Sequence, residues 1–444
     1  MNASGPCPRC PAKQCGSDHA ICAANATSTS LTPSQRSRTV GSPATVVNGD
    51  PALLARLLPS RPAARPPLFG RSLQSQHLPA LRVPIPDTCS CAVESSADDT
   101  CAAVVTSSRQ ILSNVVIKQN DLHEGYGGIH PMVAIQAHQR NMPIAVKRAL
   151  REANVDIRKD IDGIAFTRGP GIGGCLSVGS NAAKTLAASL DLPVVGVHHM
   201  QAHALTPLLT SWPNPPKFPF LTLLVSGGHT LLLLAKSLNS FRILATTPDE
   251  SIGRSFDKVS RMLGLPWTAR GPGAALEQFC AQPREGEVPE LPPYPRPFKG
   301  QLAFSYSSLH SYVERYIDSK GGLENIDLPA RLALARGFQT AAVAQLEEKV
   351  LLAFQWCSEN NVQVGDVVVS GGVASNTYLR ERLAACLTKL DISNPISLNF
   401  PPPALCTDNA VMIAWASMHR FLARDYDDYT IDLLAKWNID TLSP

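Results

Sequence analysis

From residue 91 onward, apolar positions recur in short runs whose period switches between two residues and about 3.6 residues. Residues 91–94, 101–106 and 111–118 read as three short strands of a meander, rich in Val, Ile, Ala and Cys. The turn between the first two, Ser95-Ser96-Ala97-Asp98-Asp99-Thr100, carries two carboxylates and three hydroxyls. A glycine-rich, aromatic-bearing stretch, 124–131, leads into a helical period over 133–153. Residues 161–166 are strand-like, a glycine turn over 169–174 opens a helix to about residue 190, and 192–197 is again a strand that hands over to a helix across 200–209. Strand, glycine turn and helix in that order make an α/β unit. After a proline-rich spacer, 212–219, the strand pattern returns: 220–225 and 231–235 flank Ser226-Gly227-Gly228-His229-Thr230. This second strand–turn–strand echoes the first and suggests a duplicated architecture. Helical stretches follow over 251–263 and 330–360, and residues 282–300 read as a loop. Residues 365–370 form a buried strand feeding Gly371-Gly372-Val373-Ala374-Ser375-Asn376, and an apolar helix spans 410–422 with Asp408 as a candidate cap. The expected organisation is one lobe over 89–215, a second over 216–425, and a tail over 426–444 that packs on the body.

Residues 1–88 show neither period. They are rich in Ser, Pro, Ala and Arg, and nine Lys or Arg against three acids give this segment +6. With +4 for the whole chain, the remainder sums to −2 (4 − 6). An Arg-rich, Ser-rich, acid-poor start has the character of an organelle transit peptide, so a disordered leader and a mitochondrial matrix location are expected. A nearly neutral body does not advertise nucleic-acid binding, and any such partner has to be held by a local patch. Arg140, Lys147 and Arg151 share one helix face and are candidates for it, although such a face is more commonly just solvated. Cys7, Cys10, Cys15 and Cys22 fall in the leader without zinc-ribbon spacing. The other eight of the 12 cysteines are scattered singly among apolar residues, as reduced, buried thiols are. No apolar run reaches the roughly 18 residues of a membrane helix, so no membrane span is expected.

Chemistry concentrates at the 192–209 strand-to-helix junction. His199 and His203, four residues apart at the start of a helix, present both rings on one face, which suits two ligands of one metal ion. His198 points to another face. Met200 stands where a metalloprotease needs a glutamate, so this spacing suggests metal without peptide hydrolysis. Gly227 and Gly228 let backbone N–H groups converge as a phosphate cradle, and a strand ending in Gly371-Gly372 lets an adenosine approach the backbone closely. Asp408 is both a plausible cap and a plausible metal carboxylate.

Two acidic or glycine hairpin loops, a strand–Gly–Gly–helix loop and a His-x-x-x-His pair with a distant aspartate resemble the two-lobed actin/hexokinase/Hsp70-like (ASKHA) α/β nucleotide-binding fold. Within it, Glu94-Ser95-Ser96-Ala97-Asp98, His199-Met200-Gln201-Ala202-His203, Val225-Ser226-Gly227-Gly228-His229, Phe256-Asp257-Lys258, Ser370 to Asn376 and Thr407-Asp408-Asn409 resemble the tRNA N6-adenosine threonylcarbamoyltransferase family. They occur in the family's order, and Gly127-Gly128-Ile129-His130-Pro131 looks most like its mitochondrial branch. The resemblance implies transfer of a threonylcarbamoyl group from threonylcarbamoyl-AMP to the exocyclic amine of the adenosine 3′ of the anticodon, in tRNAs reading A-starting codons. It implies one divalent metal ion, iron or zinc, on His199, His203 and Asp408. It implies adenylate contacts from Val225, Ser226, Gly227, Gly228, His229, Asp257, Gly271 and Asn376, and Asp98 as the acid beside the reacting group. It further implies tRNA as partner, an upstream enzyme that makes threonylcarbamoyl-AMP, and a homodimer. The sequence departs from the family at Ser308 and His310, where glycine and lysine are usual, and at Arg270-Gly271-Pro272, which replaces a Gly-Gly-Pro loop. The run 87–91 is also poorly apolar, so an atypical structure is expected before Ala92. The rival readings are an ATP-dependent kinase or ATPase of the same fold and a metallopeptidase. The first loop lacks the glycine, and the second the aspartate, that phosphoryl transfer would use.

Overall fold

The computed structural model describes residues 87–268, 270–283, 290–390 and 395–442. The leader, its four cysteines and its targeting role lie outside these residues.

The meander forms as the period-2 pattern requires: β1 (Cys89–Glu94), β2 (Thr100–Thr106) and β3 (Ile111–Ile117) pair antiparallel in sequence. A four-residue helix α1 (Asn120–His123) and a 3₁₀ turn precede α2 (Pro131–Ala153). Then come β4 (Gly163–Gly169), α3 (Gly173–Leu190), β5 (Val194–His198) and α4 (His199–Thr210). β4 pairs parallel with β1, and β5 parallel with β4, giving the order β3-β2-β1-β4-β5.

The second half repeats this plan. β6 (Phe220–Val225), β7 (Thr230–Ala235) and β8 (Phe241–Thr246) form another antiparallel meander. Four helices follow: α5 (Ile252–Met262), α6 (Pro272–Ala281), α7 (Ser307–Ser319) and α8 (Leu328–Glu359). Then β9 (Asp366–Ser370), α9 (Thr377–Leu387), β10 (Ser397–Asn399), the one-turn α10 (Pro403–Cys406) and α11 (Ala410–Ala423) complete the order β8-β7-β6-β9-β10, with β9 and β10 parallel. Two five-stranded mixed sheets of the same order and sense, flanked by helices, are the duplicated topology expected of the ASKHA class.

Three differences from the sequence reading have physical reasons. First, β1 starts at Cys89 and is buried throughout. Its polar residues are used: the Ser90 hydroxyl lies 3.4 Å from that of Ser417 on α11, and the Cys89 N–H donates to Asp162 at 2.8 Å. Second, β8, α6 and α7 are elements that the apolar pattern does not assign; β8 is a half-exposed edge strand, and α6 and α7 flank the proline-rich stretch read as a loop. Third, α11 lies beyond the second sheet in sequence yet packs on β1, β2, β4 and β5 of the first, and on α4. Together α4 and α11 fill the space between the sheets, where Leu205, Met412, Ile413 and Phe421 meet Ala165, Val195, Phe220, Leu224 and Val368 in one core. This placement buries ten of the 12 residues of α4, its histidines included.

Candidate metal and adenylate site

The N-terminus of α4 is fixed by its own cap. The His198 Nδ1 accepts the Met200 N–H at 3.1 Å, and its Nε2 donates to the Trp437 carbonyl at 3.2 Å. Both ring nitrogens are therefore used in holding the helix, and burial pushes its pKa down to about 3. One residue on, His199 and His203 project from the same face, with ring centroids 4.8 Å apart and nearly perpendicular planes.

Asp408 meets them from the far side. Its Oδ1 is 3.1 Å from His203 Nε2 and 3.5 Å from His199 Nε2. One ligand atom from each of the three residues falls within 4.8 Å of the others. The sequence reading offered Asp408 as the cap of α11. In the structure Asn409 takes that role, its Oδ1 accepting the Met412 N–H at 2.9 Å, which leaves the Asp408 carboxylate free to face the histidines.

The opposite edges of the imidazoles are held in turn. His199 Nδ1 lies 3.5 Å from Glu94 Oε2 and 3.3 Å from Ser96 Oγ, while His203 Nδ1 lies 3.4 Å from Ser370 Oγ. Glu94 is fully buried, and it accepts the Ser96 N–H at 2.6 Å and the Thr167 hydroxyl. This is the usual outer support of metal-ligating histidines, which fixes tautomer and ring orientation. Burial works against an imidazolium at His199, yet Asp408 and Glu94 outweigh it and push its pKa up to about 10. Burial likewise opposes ionisation of Asp408, but the two histidines hold it well below the ordinary range. The pocket thus draws positive charge into itself, and two nitrogens with one carboxylate form a donor set suited to a divalent ion such as zinc or iron. Glu94, Ser96, Thr167 and Ser370 received no role from the sequence. The available signal was a glutamate closing an otherwise apolar strand.

Asp98 sits in the β1–β2 loop, where burial and then Asp408 push its carboxyl up to about 6. Its charge also raises the Asp257 carboxyl of α5, the smallest of the influences on that group. Asp257 accepts the Gly273 N–H at 3.0 Å at the start of α6, next to Gly271, whose φ of 91° favours glycine. The β6–β7 loop is pinned by α5: Ser251 Oγ donates to the Gly227 carbonyl at 2.5 Å, and the Gly253 N–H reaches the Ser226 carbonyl at 3.2 Å. The N–H groups of Gly228 and His229 converge as the glycines suggest, but on Ser226 Oγ, at 3.3 and 3.0 Å. His229 stands 6.3 Å from His199, ring to ring, which joins this loop to the metal trio. Asn376 caps α9 through the Leu379 N–H at 2.9 Å. Gly371, at φ 99°, approaches the end of β6 so closely that a Cβ would overlap the Val225 carbonyl. Where the family usually has lysine, His310 is nearly buried and pairs with Glu250, which also holds Lys258 at 2.5 Å.

Comparison with known proteins adds an independent observation. The model of the family described as TsaD, tRNA N6-adenosine threonylcarbamoyltransferase, matches residues 110–415. A protein of Arabidopsis thaliana named probable tRNA N6-adenosine threonylcarbamoyltransferase, mitochondrial, is 39% identical over 363 residues, covering 78% of this chain and 73% of that one. The tRNA N6-adenosine threonylcarbamoyltransferase of Cereibacter sphaeroides is 41% identical over 360 residues, covering 79% and 94%. Among solved structures, a full-length HypF is a distant likeness, with a TM-score of 0.47 at 15% identity over 77% of this chain and 56% of that one. Among the described residues no helix is long and apolar enough to cross a membrane.

Proposed function

The chain belongs to the tRNA N6-adenosine threonylcarbamoyltransferase family, and from that premise we propose that it transfers the threonylcarbamoyl group of threonylcarbamoyl-AMP to the exocyclic amine of the adenosine 3′ of the anticodon. The observation that carries the reading is the convergence of His199, His203 and Asp408, with the β6–β7 loop at their side through His229, 6.3 Å from His199 ring to ring, and Asp98 under the influence of Asp408. A mitochondrial site of action and tRNAs reading A-starting codons complete the proposal, with a separate enzyme supplying the adenylate and a homodimer as the working form.

An adenine amine is a weak nucleophile because its lone pair is delocalised into the ring. The electrophile must therefore be activated, and a mixed anhydride with AMP provides a good leaving group. The amine nitrogen bonds to the carbamoyl carbon, the bond from that carbon to the phosphate oxygen breaks, and AMP departs with the electron pair. The proton lost by the amine goes to Asp98, whose raised pKa suits a group that accepts a proton near neutrality. The β6–β7 and β9–α9 loops and Asp257 hold the adenylate, orienting its carbonyl toward the site. A divalent ion on His199, His203 and Asp408 would supply Lewis-acid polarisation and a template for the threonylcarbamoyl oxygens. Glu94 and Ser96 keep the His199 ring in place for it.

The test mixes the full-length protein, purified with its metal, with unmodified tRNA and an enzymatic source of threonylcarbamoyl-AMP, and weighs the digested nucleosides by mass spectrometry. Threonylcarbamoyladenosine is expected, and it disappears together with bound metal in His199→Ala and Asp408→Ala. Asp98→Asn keeps metal and adenylate but loses roughly 10²–10⁴ in kcat. Wild-type protein that binds the adenylate and forms no product, or an Asp98→Asn protein at full rate, would overturn the corresponding part.

A further inference from the structure

Between β3 and α2 the chain makes a turn that the site described so far does not use. The 3₁₀ turn Glu124–Tyr126 is closed by the Gly127 N–H on the Glu124 carbonyl at 3.0 Å, and Gly127 and Gly128 both have positive φ. Tyr126 is held out at the tip, 60% exposed, with the His130 ring 4.6 Å away.

This surface tyrosine stands on a buried polar support. His123 Nδ1 accepts the His130 N–H at 3.3 Å, so its Nε2 carries the proton and donates to Gln119 Oε1 at 3.2 Å. The Gln119 amide then points its N–H at Thr100 Oγ1 (3.4 Å) and His138 Nδ1 (3.5 Å). Because His138 Nδ1 also receives the Thr100 hydroxyl at 2.8 Å, its Nε2 must donate, and it does so to the Ala97 carbonyl at 3.0 Å. The Thr100 hydroxyl takes the one lone pair of His138 Nδ1 and the Gln119 amide is left to Thr100 Oγ1, so the path is continuous, and burial lowers the pKa of both histidines, in keeping with their neutral form. A satisfied buried network is rigid. It therefore fixes the Tyr126 turn relative to Ala97, the residue before Asp98.

A cation faces the turn from the second half of the chain. Arg261, on the last turn of α5, brings a guanidinium nitrogen to 3.2 Å from where a Gly127 Cβ would lie, close against the turn. An exposed aromatic, a neighbouring cation and a rigid link to the reacting group are what an unpaired RNA loop requires, since its bases are held by stacking and its backbone by charge.

We propose that Tyr126, supported by His130 and faced by Arg261, stacks on an unpaired base neighbouring the acceptor adenosine and so positions the adenosine amine at Asp98. This rests on the transferase reading above. Tyr126 is a positioning residue. The exposed Ile129 and Met132 nearby would serve a protein surface instead, and the test separates the two.

The full-length chain is titrated into an RNA hairpin of the anticodon arm that carries fluorescent 2-aminopurine in place of the base 3′ of the acceptor adenosine. The fluorescence is expected to be quenched by wild type and by Tyr126→Phe. In Tyr126→Leu and Tyr126→Ala the quench is lost and Kd for the hairpin rises about tenfold, with the KM for threonylcarbamoyl-AMP and the Tm unchanged. Wild-type Kd in the leucine and alanine variants overturns the proposal. A shift in sedimentation of the alanine variant with hairpin affinity intact assigns the turn to a protein contact and equally overturns it. Hairpin binding needs no turnover, so a wild-type protein that makes no product would sink the transferase reading while stacking is still read directly.

Discussion

Asp257 shows how burial of one carboxylate can work against the fold. Burial pushes its carboxyl up to about 6, the Gly273 N–H and Arg261 pull it down, and Asp98 raises it again. Because the folded pKa lies above the unfolded value of 3.8, the folded protein binds the extra proton between the two, and stability falls as pH rises through that window. Above about pH 7 the cost is fully present, on the order of 1–3 kcal/mol. Asp257→Asn can still accept the Gly273 N–H without a charge. It is expected to raise Tm at pH 8, to lose that advantage below about pH 4, and to bind the adenylate more weakly. Calorimetry across pH checks this, and a Tm difference independent of pH would refute it. The sequence could propose Asp257 by resemblance, but not this conflict, which arises from burial between α5 and α6.

At the scale of elements, the start of α11 decides what Asp408 can do. Three consecutive residues, Thr407, Asp408 and Asn409, all have capping chemistry, and sequence alone cannot choose among them. The structure chooses Asn409, which also donates to the Thr407 carbonyl at 2.8 Å and so ties down both sides of Asp408. Asn409→Ala is therefore expected to cost about 0.5–2 kcal/mol of stability. It should also reduce bound metal, although Asn409 is no ligand, because Asp408 would be free to take over the cap. Thermal melts with metal analysis test this, and a destabilised protein with full metal content would contradict it. The same contrast runs through the rest of the site. The histidine spacing, the glycine loops, the first meander and the first hairpin of the second were legible because each is a local pattern. Glu94, Thr167 and Ser370 were not, since their roles come from β1, β4 and β9 meeting α4 in space. β8 escaped because an edge strand of six residues alternates too weakly to declare itself.

At the scale of the molecule, the candidate site at His199, His203 and Asp408 depends on elements from the two halves of the chain staying together, and residues 426–442 act as a strap between the sheets. At one end, Asp427 pairs with Val194 on β5, the edge of the first sheet, and its carboxylate accepts the Gly196 N–H at 2.7 Å while paired with Arg420 at 2.9 Å. In the middle, the Leu434 N–H meets the Arg168 carbonyl at 2.8 Å and the Trp437 main-chain carbonyl accepts from His198 Nε2 at 3.2 Å. At the other end, Ile439 is buried in the core between the sheets, and Asp440 accepts the Ile243 N–H of β8, the edge of the second sheet, at 2.7 Å. Open strand edges invite pairing with other chains, and this segment covers one edge of each sheet. A chain ended at residue 425 should therefore lower Tm by roughly 5 °C or more, scatter light on concentration, and lose metal, because His198 no longer has the Trp437 carbonyl that orients the cap of α4. Replacing Trp437 alone by alanine keeps that main-chain carbonyl and both covered edges and removes only the indole 4.7 Å from the His198 ring, so this variant should retain most of its metal with little aggregation. If the truncated chain kept its metal and its Tm, the strap would be ornamental, and closure of the site would have to rest on α4 and α11 alone.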